Sequence, residues 1–204
     1  IANSVFMQYQ KQPDGALKEL PRKNVDFGGG LERMVAATNN NPDVFQTDLY
    51  SEILKTIEDI SGKKYSDDEN KPSMRVIADH LKAATFIASE GVEPGNKKQG
   101  YILRRLLRRS AIKLRLLTNM PTTQHQFLPI AESVLKTYEN TPYFQNINIA
   151  SIKNLIGPEL LKFTRSLDKG LREVQKLSSI DGKIAFDLYQ TYGFPLEITA
   201  ELFA

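Results

Sequence analysis

The sequence contains no cysteine and only two histidines, His80 and His125. Because disulfides and thiolate zinc sites both need cysteine, neither can form within these 204 residues. With only two histidines, we do not expect a histidine-rich metal site either. No apolar run approaches the ~20 residues that a membrane helix needs. The first residues lack the basic and apolar regions of a signal peptide and an initiator methionine. We therefore expect a cytoplasmic protein without a membrane segment, and a piece of a longer chain.

The charge of the chain is unevenly distributed. Hydrophobic residues make up 41% and charged residues 25%, which is typical of a globular protein of one or two domains. Between Lys97 and Ala131 there are eight basic residues and no acidic one, so this segment carries +8 while the whole chain carries only +3. Such a local excess of positive charge indicates a polyanionic partner.

The order of the predicted elements indicates an α+β chain that is mostly α. Strands are expected near residues 4–9 and 23–27, with a turn at 12–15 between them and a helix at 31–37 after three glycines. The rest of the chain has helical periodicity. The helices predicted there are 48–60, 73–89, 100–117, 127–138, 159–177 and two short ones on either side of 192–195.

Two interruptions of this pattern carry structural expectations. Asparagines and a proline cluster at residues 39–42, which predicts a domain boundary there, with domains at 1–40 and 41–204. Gly157-Pro158 is expected to interrupt the long helical region near the end of the chain, because proline removes a helical hydrogen bond.

The first motif that could bind a ligand or take part in a reaction is Asn-Val-Asp-Phe-Gly-Gly-Gly-Leu-Glu-Arg-Met, residues 24–34. Glycines between a strand and a helix let another molecule approach the backbone, and the start of the helix favours negative charge. Arg33 could hold a phosphate through two N–H groups, and Asp26 could accept hydrogen bonds from a ligand ammonium. The alternative is a glycine-rich turn with an exposed arginine and a capping aspartate, since a lone glycine motif is weak evidence.

The predicted helix 100–117 places leucines on one face and basic residues on the other. Its basic residues are Arg104, Arg105, Arg108, Arg109, Lys113 and Arg115. No acidic residue of this stretch can neutralise them at i,i+4, so we expect uncompensated charges that bind nucleic-acid phosphates. The alternative is an ordinary solvated charged face. Phosphate contacts position a nucleic acid without reading it, so a base reader must lie elsewhere.

Five motifs in order along the chain resemble the alanyl–tRNA synthetases, a family within the class II aminoacyl–tRNA synthetases. The segment Gly-Gly-Gly-Leu-Glu-Arg after a short strand looks like motif 3 of that class. The five motifs begin at Asn3, Val25, Arg75, Gly100 and Tyr189. The resemblance implies the C-terminal edge of an antiparallel-sheet catalytic domain in residues 1–40 and an all-α, tRNA-recognising helical domain in residues 41–204.

The resemblance also implies an alanine–tRNA ligase activity that uses ATP and Mg²⁺, with L-alanine and the acceptor stem of alanine tRNA as the other ligands. Arg33 would contact the ATP γ-phosphate, and Gly28 and Gly30 would form the floor of the adenylate site. Asp26 and Asn3 would hold alanine. Zinc is expected only in an editing domain that these residues do not include, and motifs 1 and 2 of the class would also lie outside them. We therefore expect no aminoacylation by these residues alone.

For the acceptor stem, the resemblance suggests two base readers. Asn96, in the turn Glu93-Pro94-Gly95-Asn96, resembles an asparagine that helps to read the G·U wobble pair. The second reader of the family is an aspartate, where this chain has the longer, uncharged Gln190. The arginines expected to contact tRNA are Arg104, Arg105, Arg108 and Arg109.

Two alternatives to this interpretation require different residues. A non-enzymatic RNA-binding helical module would have no reason to keep Asp26 together with Arg33. A free-standing alanyl–tRNA editing hydrolase would need a metal-binding cluster of histidine and cysteine, which the composition does not provide.

Overall fold

A computed structural model describes residues 1–142 and 149–203. The chain divides into two compact units, Ile1–Leu49 (unit 1) and Tyr50–Ala204 (unit 2). The predicted class, α+β and mostly α, is confirmed. The assignment of catalytic and tRNA-recognising roles to residues 1–40 and 41–204 stays a prediction, because compactness does not test a role.

Unit 1 is a two-stranded antiparallel ribbon followed by a helix. Strand β1 (Ala2–Lys11) pairs with β2 (Leu17–Gly29), and helix α1 (Leu31–Thr38) begins after one intervening residue. Both strands extend beyond their predicted bounds because cross-strand pairing, which propensity does not reveal, continues to the turn. The register breaks between Met7 and Tyr9, opposite the stretch that contains Pro21, a residue with no N–H to donate.

After α1, the described part of the chain forms seven α-helices in the predicted order, all within unit 2 except the first two residues of α2. They are α2 (Asp48–Ser61), α3 (Lys71–Ser89), α4 (Lys98–Thr118), α5 (Gln124–Tyr138), α6 (Ile149–Val174), α7 (Gly182–Tyr192) and α8 (Leu196–Leu202). Helix α4 packs against α3 and α6, and its leucines at 103, 107 and 114 are fully buried. Two short helices flank residues 193–195, as predicted. Among the described helices, none combines the length and the apolar composition that a membrane span requires.

The prediction that Gly157-Pro158 interrupts a helix is wrong, since α6 runs through both residues. An interior proline costs a helix about 3 kcal/mol. Ile152 and Ile156 before it and Leu160 after it are fully buried or nearly so. Burying apolar side chains of this size contributes about 1.5–3 kcal/mol each. Packing on both sides of Pro158 therefore offsets the loss of one hydrogen bond.

The loop between α2 and α3 is held by a carboxylate at the end of α2. Glu58 accepts hydrogen bonds from the backbone N–H of Tyr65 at 2.8 Å and from the Lys64 ammonium at 3.1 Å. The Tyr65 N–H, with a smaller contribution from Lys64, holds the pKa of Glu58 below its ordinary value of 4.5 although partial burial opposes the shift. Folding therefore favours the ionised form of this side chain.

We expect E58Q to lower stability by about 1 kcal/mol at pH 7 and by less as the medium becomes acidic. A carboxyl with a depressed folded-state pKa stabilises fully above its unfolded pKa, near 4.5, and loses this contribution as pH falls through the folded value. Thermal denaturation between pH 7 and pH 3 measures the difference. E52Q, which removes an exposed carboxylate of the same helix, serves as control, and an E58Q effect that is independent of pH would contradict the assignment.

Candidate nucleotide and nucleic-acid sites

In unit 1, the strand register assembles part of the glycine-rich motif. Asn3 lies opposite Gly28, and its side-chain oxygen is 3.0 Å from the position that a Cβ of Gly28 would take. Asp26 precedes Gly28 by two residues and therefore lies on the same face of β2. The ribbon thus brings the three predicted residues Asn3, Asp26 and Gly28 to one face, although Asn3 is remote from the other two in sequence.

Arg33 is the third residue of α1 and is exposed. Its Cδ is 3.3 Å from the position that a Cβ of Gly30 would take, so its stem covers this glycine. Within residues 1–142 and 149–203, no hydrogen bond or ion pair engages its guanidinium. A cation without a partner near the start of a helix is suited to bind an anion. The five residues predicted for ATP and alanine therefore occupy the paired strand ends and the first turn of α1, and their roles stay predictions.

In unit 2, α4, α7 and the turn before α8 enclose a cleft of about 450 Å³. Ten residues line it: Asn96, Tyr101, Arg104, Arg105, Arg108, Tyr189, Gln190, Gly193, Pro195 and Leu196. Both predicted base readers and three of the four predicted arginines are among them. The fourth, Arg109, does not line the cleft; it is half-buried, and its Nε has no hydrogen-bond partner among the described residues.

The turn that carries Asn96 packs directly on the first turn of α4. A Cβ on Gly100 would stand 2.6 Å from the carbonyl oxygen of Glu93, so only glycine permits this approach. The Gly95 N–H donates to the Gly100 carbonyl at 2.9 Å. Arg104 donates to the side-chain oxygen of Asn96 and, at 3.3 Å, to the carbonyl of Pro94. Since a guanidinium only donates, the Asn96 oxygen must face it, which leaves the amide N–H₂ to be presented.

The expected lack of compensation for the arginines is wrong. Glu159 of α6 is only 8% exposed, and its Oε1 accepts from Arg108 Nε at 2.9 Å. The same oxygen lies 3.2 Å from Arg104 Nε, without hydrogen-bond alignment. One buried carboxylate thus serves two arginines from successive turns of α4.

Two more basic side chains of α4 are paired with acids. Arg115 donates to Asp168 of α6 at 3.0 Å, and Lys113 donates to Glu201 of α8. All these acids lie on other helices, so a count of i,i+4 neighbours on α4 cannot detect them. The basic face predicted from sequence is therefore partly an interface between helices.

Arg108 is enclosed on two further sides. Its guanidinium lies over the Phe163 ring, 5.1 Å from the centroid, a cation–π arrangement. Gly193 has φ +74°, and its missing Cβ would coincide with this guanidinium, whose Cζ is 3.2 Å from that position. The turn after α7 therefore needs glycine for both its backbone conformation and its approach to Arg108.

Sequence reasoning missed two aromatic residues of the cleft. Tyr101 and Tyr189 line it and are 40% and 48% exposed. Exposed tyrosines beside arginines provide surfaces on which nucleic-acid bases can stack. Both belong to motifs recognised in the sequence, those that begin at Gly100 and at Tyr189, but only the fold brings the two rings to one cavity.

The ribbon leads through glycines into a helix with an exposed arginine, as expected from the resemblance to motif 3 of the class II tRNA synthetases. The sequence profile described as tRNA synthetases class II (A) matches residues 1–204, and the chain belongs to this family.

Three relatives that match this chain belong to one member of the class, alanine–tRNA ligase. The alanine–tRNA ligases of Thermotoga petrophila and Thermotoga maritima are each 40% identical to this chain over 209 residues, which cover 99% of it and 24% of theirs. That of Borreliella afzelii is 41% identical over 213 residues, 99% of this chain and 35% of its own. The chain therefore spans a quarter to about a third of the length of these curated relatives. The resemblance seen in the motifs is confirmed.

Proposed function

We propose that this chain is part of an alanine–tRNA ligase that acts in the cytoplasm. Unit 1 contributes to the site for ATP and alanine, and unit 2 binds the acceptor stem of alanine tRNA. The observation that carries the proposal is the cleft of unit 2, which unites Asn96 and Gln190, 94 positions apart in the sequence, with three arginines. The names of the relatives support the choice of amino acid.

In the proposed reaction, an alanine carboxylate oxygen attacks the α-phosphorus of ATP, and pyrophosphate leaves. A ribose hydroxyl at the 3′ end of tRNA then attacks the carbonyl of alanyl-adenylate, and AMP leaves. Arg33 would fix the γ-phosphate, Asp26 and Asn3 would fix alanine, and Gly28 and Gly30 would let the adenylate approach the backbone. These residues act by positioning and by charge, which can supply a large share of catalysis.

Class II synthetases generally use Mg²⁺ with ATP. In the described part of the chain, no three histidine, cysteine, aspartate or glutamate side chains are grouped so that they could hold a metal ion. Mg²⁺ that accompanies a nucleotide is usually held by one or two carboxylates together with the phosphates, so this ion does not need such a cluster.

The cleft has the chemistry to read one base pair of an RNA stem. An RNA helix exposes base edges and ribose hydroxyls in a wide, shallow minor groove. Asn96 would present N–H donors there, and the Gln190 amide can both donate and accept. A wobble G·U pair displaces these groups relative to a G·C pair, so two fixed amides can distinguish the pairs. Arg105 would neutralise phosphate.

Binding of acceptor-stem duplexes tests this function. We expect the chain to bind a G·U duplex about tenfold more tightly than a matched G·C duplex, as one base pair typically contributes ~1–3 kcal/mol to specific recognition. Affinity for both should fall steeply with salt, because bound arginines release counterions. Replacing Asn96 with alanine should remove most of the preference and leave the salt slope unchanged.

The matched control is N140A, which removes an exposed asparagine after α5 that lines neither the cleft nor the groove beside Glu93 and Glu159. It should retain the G·U preference. Equal binding of the two duplexes by the unmodified chain would show that the cleft only holds phosphates. Absence of binding to either duplex would exclude the cleft as the acceptor-stem interface.

A further inference from the structure

Glu159 occupies a central position between the two sides of the cleft without lining it. Its carboxylate comes from α6, is nearly buried, and contacts Arg104 and Arg108 through one oxygen. The two arginines are four residues apart on α4, so their like charges repel each other on one helix face. The carboxylate offsets this repulsion and holds both guanidinium groups close to α6.

One chain of contacts leads from Glu159 to the first base reader. Arg104, placed against Glu159, donates to the Asn96 side-chain oxygen and to the Pro94 carbonyl. These bonds tie the turn before α4 to the arginine and orient the Asn96 amide. If Arg104 moved, the amide could rotate and present its oxygen in place of its N–H₂ group, which would exchange a donor for an acceptor.

A second chain of contacts leads from Glu159 to the segment of the other reader. Arg108, hydrogen-bonded to Glu159, lies over Phe163 and fills the space beside Gly193. The Gly193 N–H donates to the carbonyl of Tyr189 at 3.0 Å, which closes the end of α7 around Gln190. The same carboxylate therefore supports both walls of the cleft.

We propose that Glu159 is a positioning residue for base-pair discrimination: through Arg104 and Arg108 it fixes the orientation of Asn96 and the placement of the Gln190 segment. This inference rests on the function proposed above. Arg104 and Arg108 then act mainly by holding the two walls of the cleft in place. Loss of the Glu159 carboxylate therefore weakens discrimination between base pairs more than it weakens phosphate binding.

The test replaces the carboxylate in the natural-length protein. E159Q keeps the size of the side chain but removes its charge, and we expect it to reduce the preference for a G·U over a G·C duplex about tenfold, a larger change than in the rate of alanine activation. The matched control is D168N. It makes the same change in another α4–α6 pair, with Arg115 at 3.0 Å, and should retain the preference.

Hydrogen exchange adds a readout that does not depend on RNA. In E159Q, backbone amides of residues 93–97 and 189–194 should exchange faster than in the unmodified protein, and in D168N they should not. E159D, which restores the charge on a shorter stem, should recover part of the preference. If E159Q does not fold, E159D tests the positioning role of Glu159 in its place.

The outcomes separate the two proposals. If the unmodified protein shows no G·U preference, the proposed function fails. If it shows the preference and E159Q retains both the preference and the slow exchange, the positioning role is overturned. A loss of preference in D168N equal to that in E159Q or E159D also overturns it, because the effect would then come from general weakening of the α4–α6 interface.

Discussion

Replacing Arg33 with alanine in the natural-length protein is expected to lower alanine-dependent ATP–pyrophosphate exchange about 10²–10³-fold, the usual effect of removing one donor aimed at transition-state charge. Arg33 is exposed in the first turn of α1, its stem covers Gly30, and no side chain of the described residues competes for its guanidinium. Its N–H groups are therefore available to phosphate oxygens. R33K keeps the charge but not the planar fork, so we expect an intermediate loss.

The control for this prediction is R22A, which removes an exposed arginine of β2 outside the glycine motif. Its exchange rate should stay within about twofold of the unmodified value, since isolated surface changes have small effects. Acceptor-stem binding should survive in R33A, because the cleft belongs to unit 2. Normal exchange in R33A would exclude Arg33 as the γ-phosphate contact, because the protein would then activate alanine without it.

Helical periodicity predicted most of the fold because each helix of unit 2 buries one face. Helix α4 was expected at residues 100–117 and spans Lys98–Thr118. The incorrect predictions have physical causes that a short stretch of sequence does not reveal. The strands are extended by cross-strand hydrogen bonds, and α6 continues through Pro158 because packing on both sides outweighs the lost bond.

The site was predicted residue by residue, but its connections were not. Family motifs suggested Asn96 and Gln190, and the structure brings both to one cavity. The acids that pair with α4 lie 51 to 88 residues away in sequence, at positions 159, 168 and 201. Charge counted along the chain cannot detect such pairs. Four of the basic side chains that composition assigned to RNA therefore also bind helices together.

Replacing Gly193 with alanine is expected to destabilise the chain by about 2–4 kcal/mol and to weaken the G·U preference. A non-glycine residue at φ +74° costs roughly 1–2 kcal/mol by itself. The new Cβ would also displace the Arg108 guanidinium, and the buried Glu159 carboxylate would lose its closest partner. Breaking a buried ion pair by removal of one partner costs about 3–5 kcal/mol, and partial relaxation should reduce this here. Urea denaturation measures the sum.

Gly91 provides the matched control, since it follows α3 as Gly193 follows α7. Its φ is +77°, and no atom lies within 4 Å of the position that a Cβ would take. G91A should therefore show only the conformational cost, roughly 1–2 kcal/mol, and bind acceptor-stem duplexes like the unmodified chain. The difference between the two variants isolates the contact of Gly193 with Arg108. Equal losses of stability would mean that Arg108 moves aside without leaving Glu159. Glycine at position 193 would then be needed only for the backbone conformation of the turn.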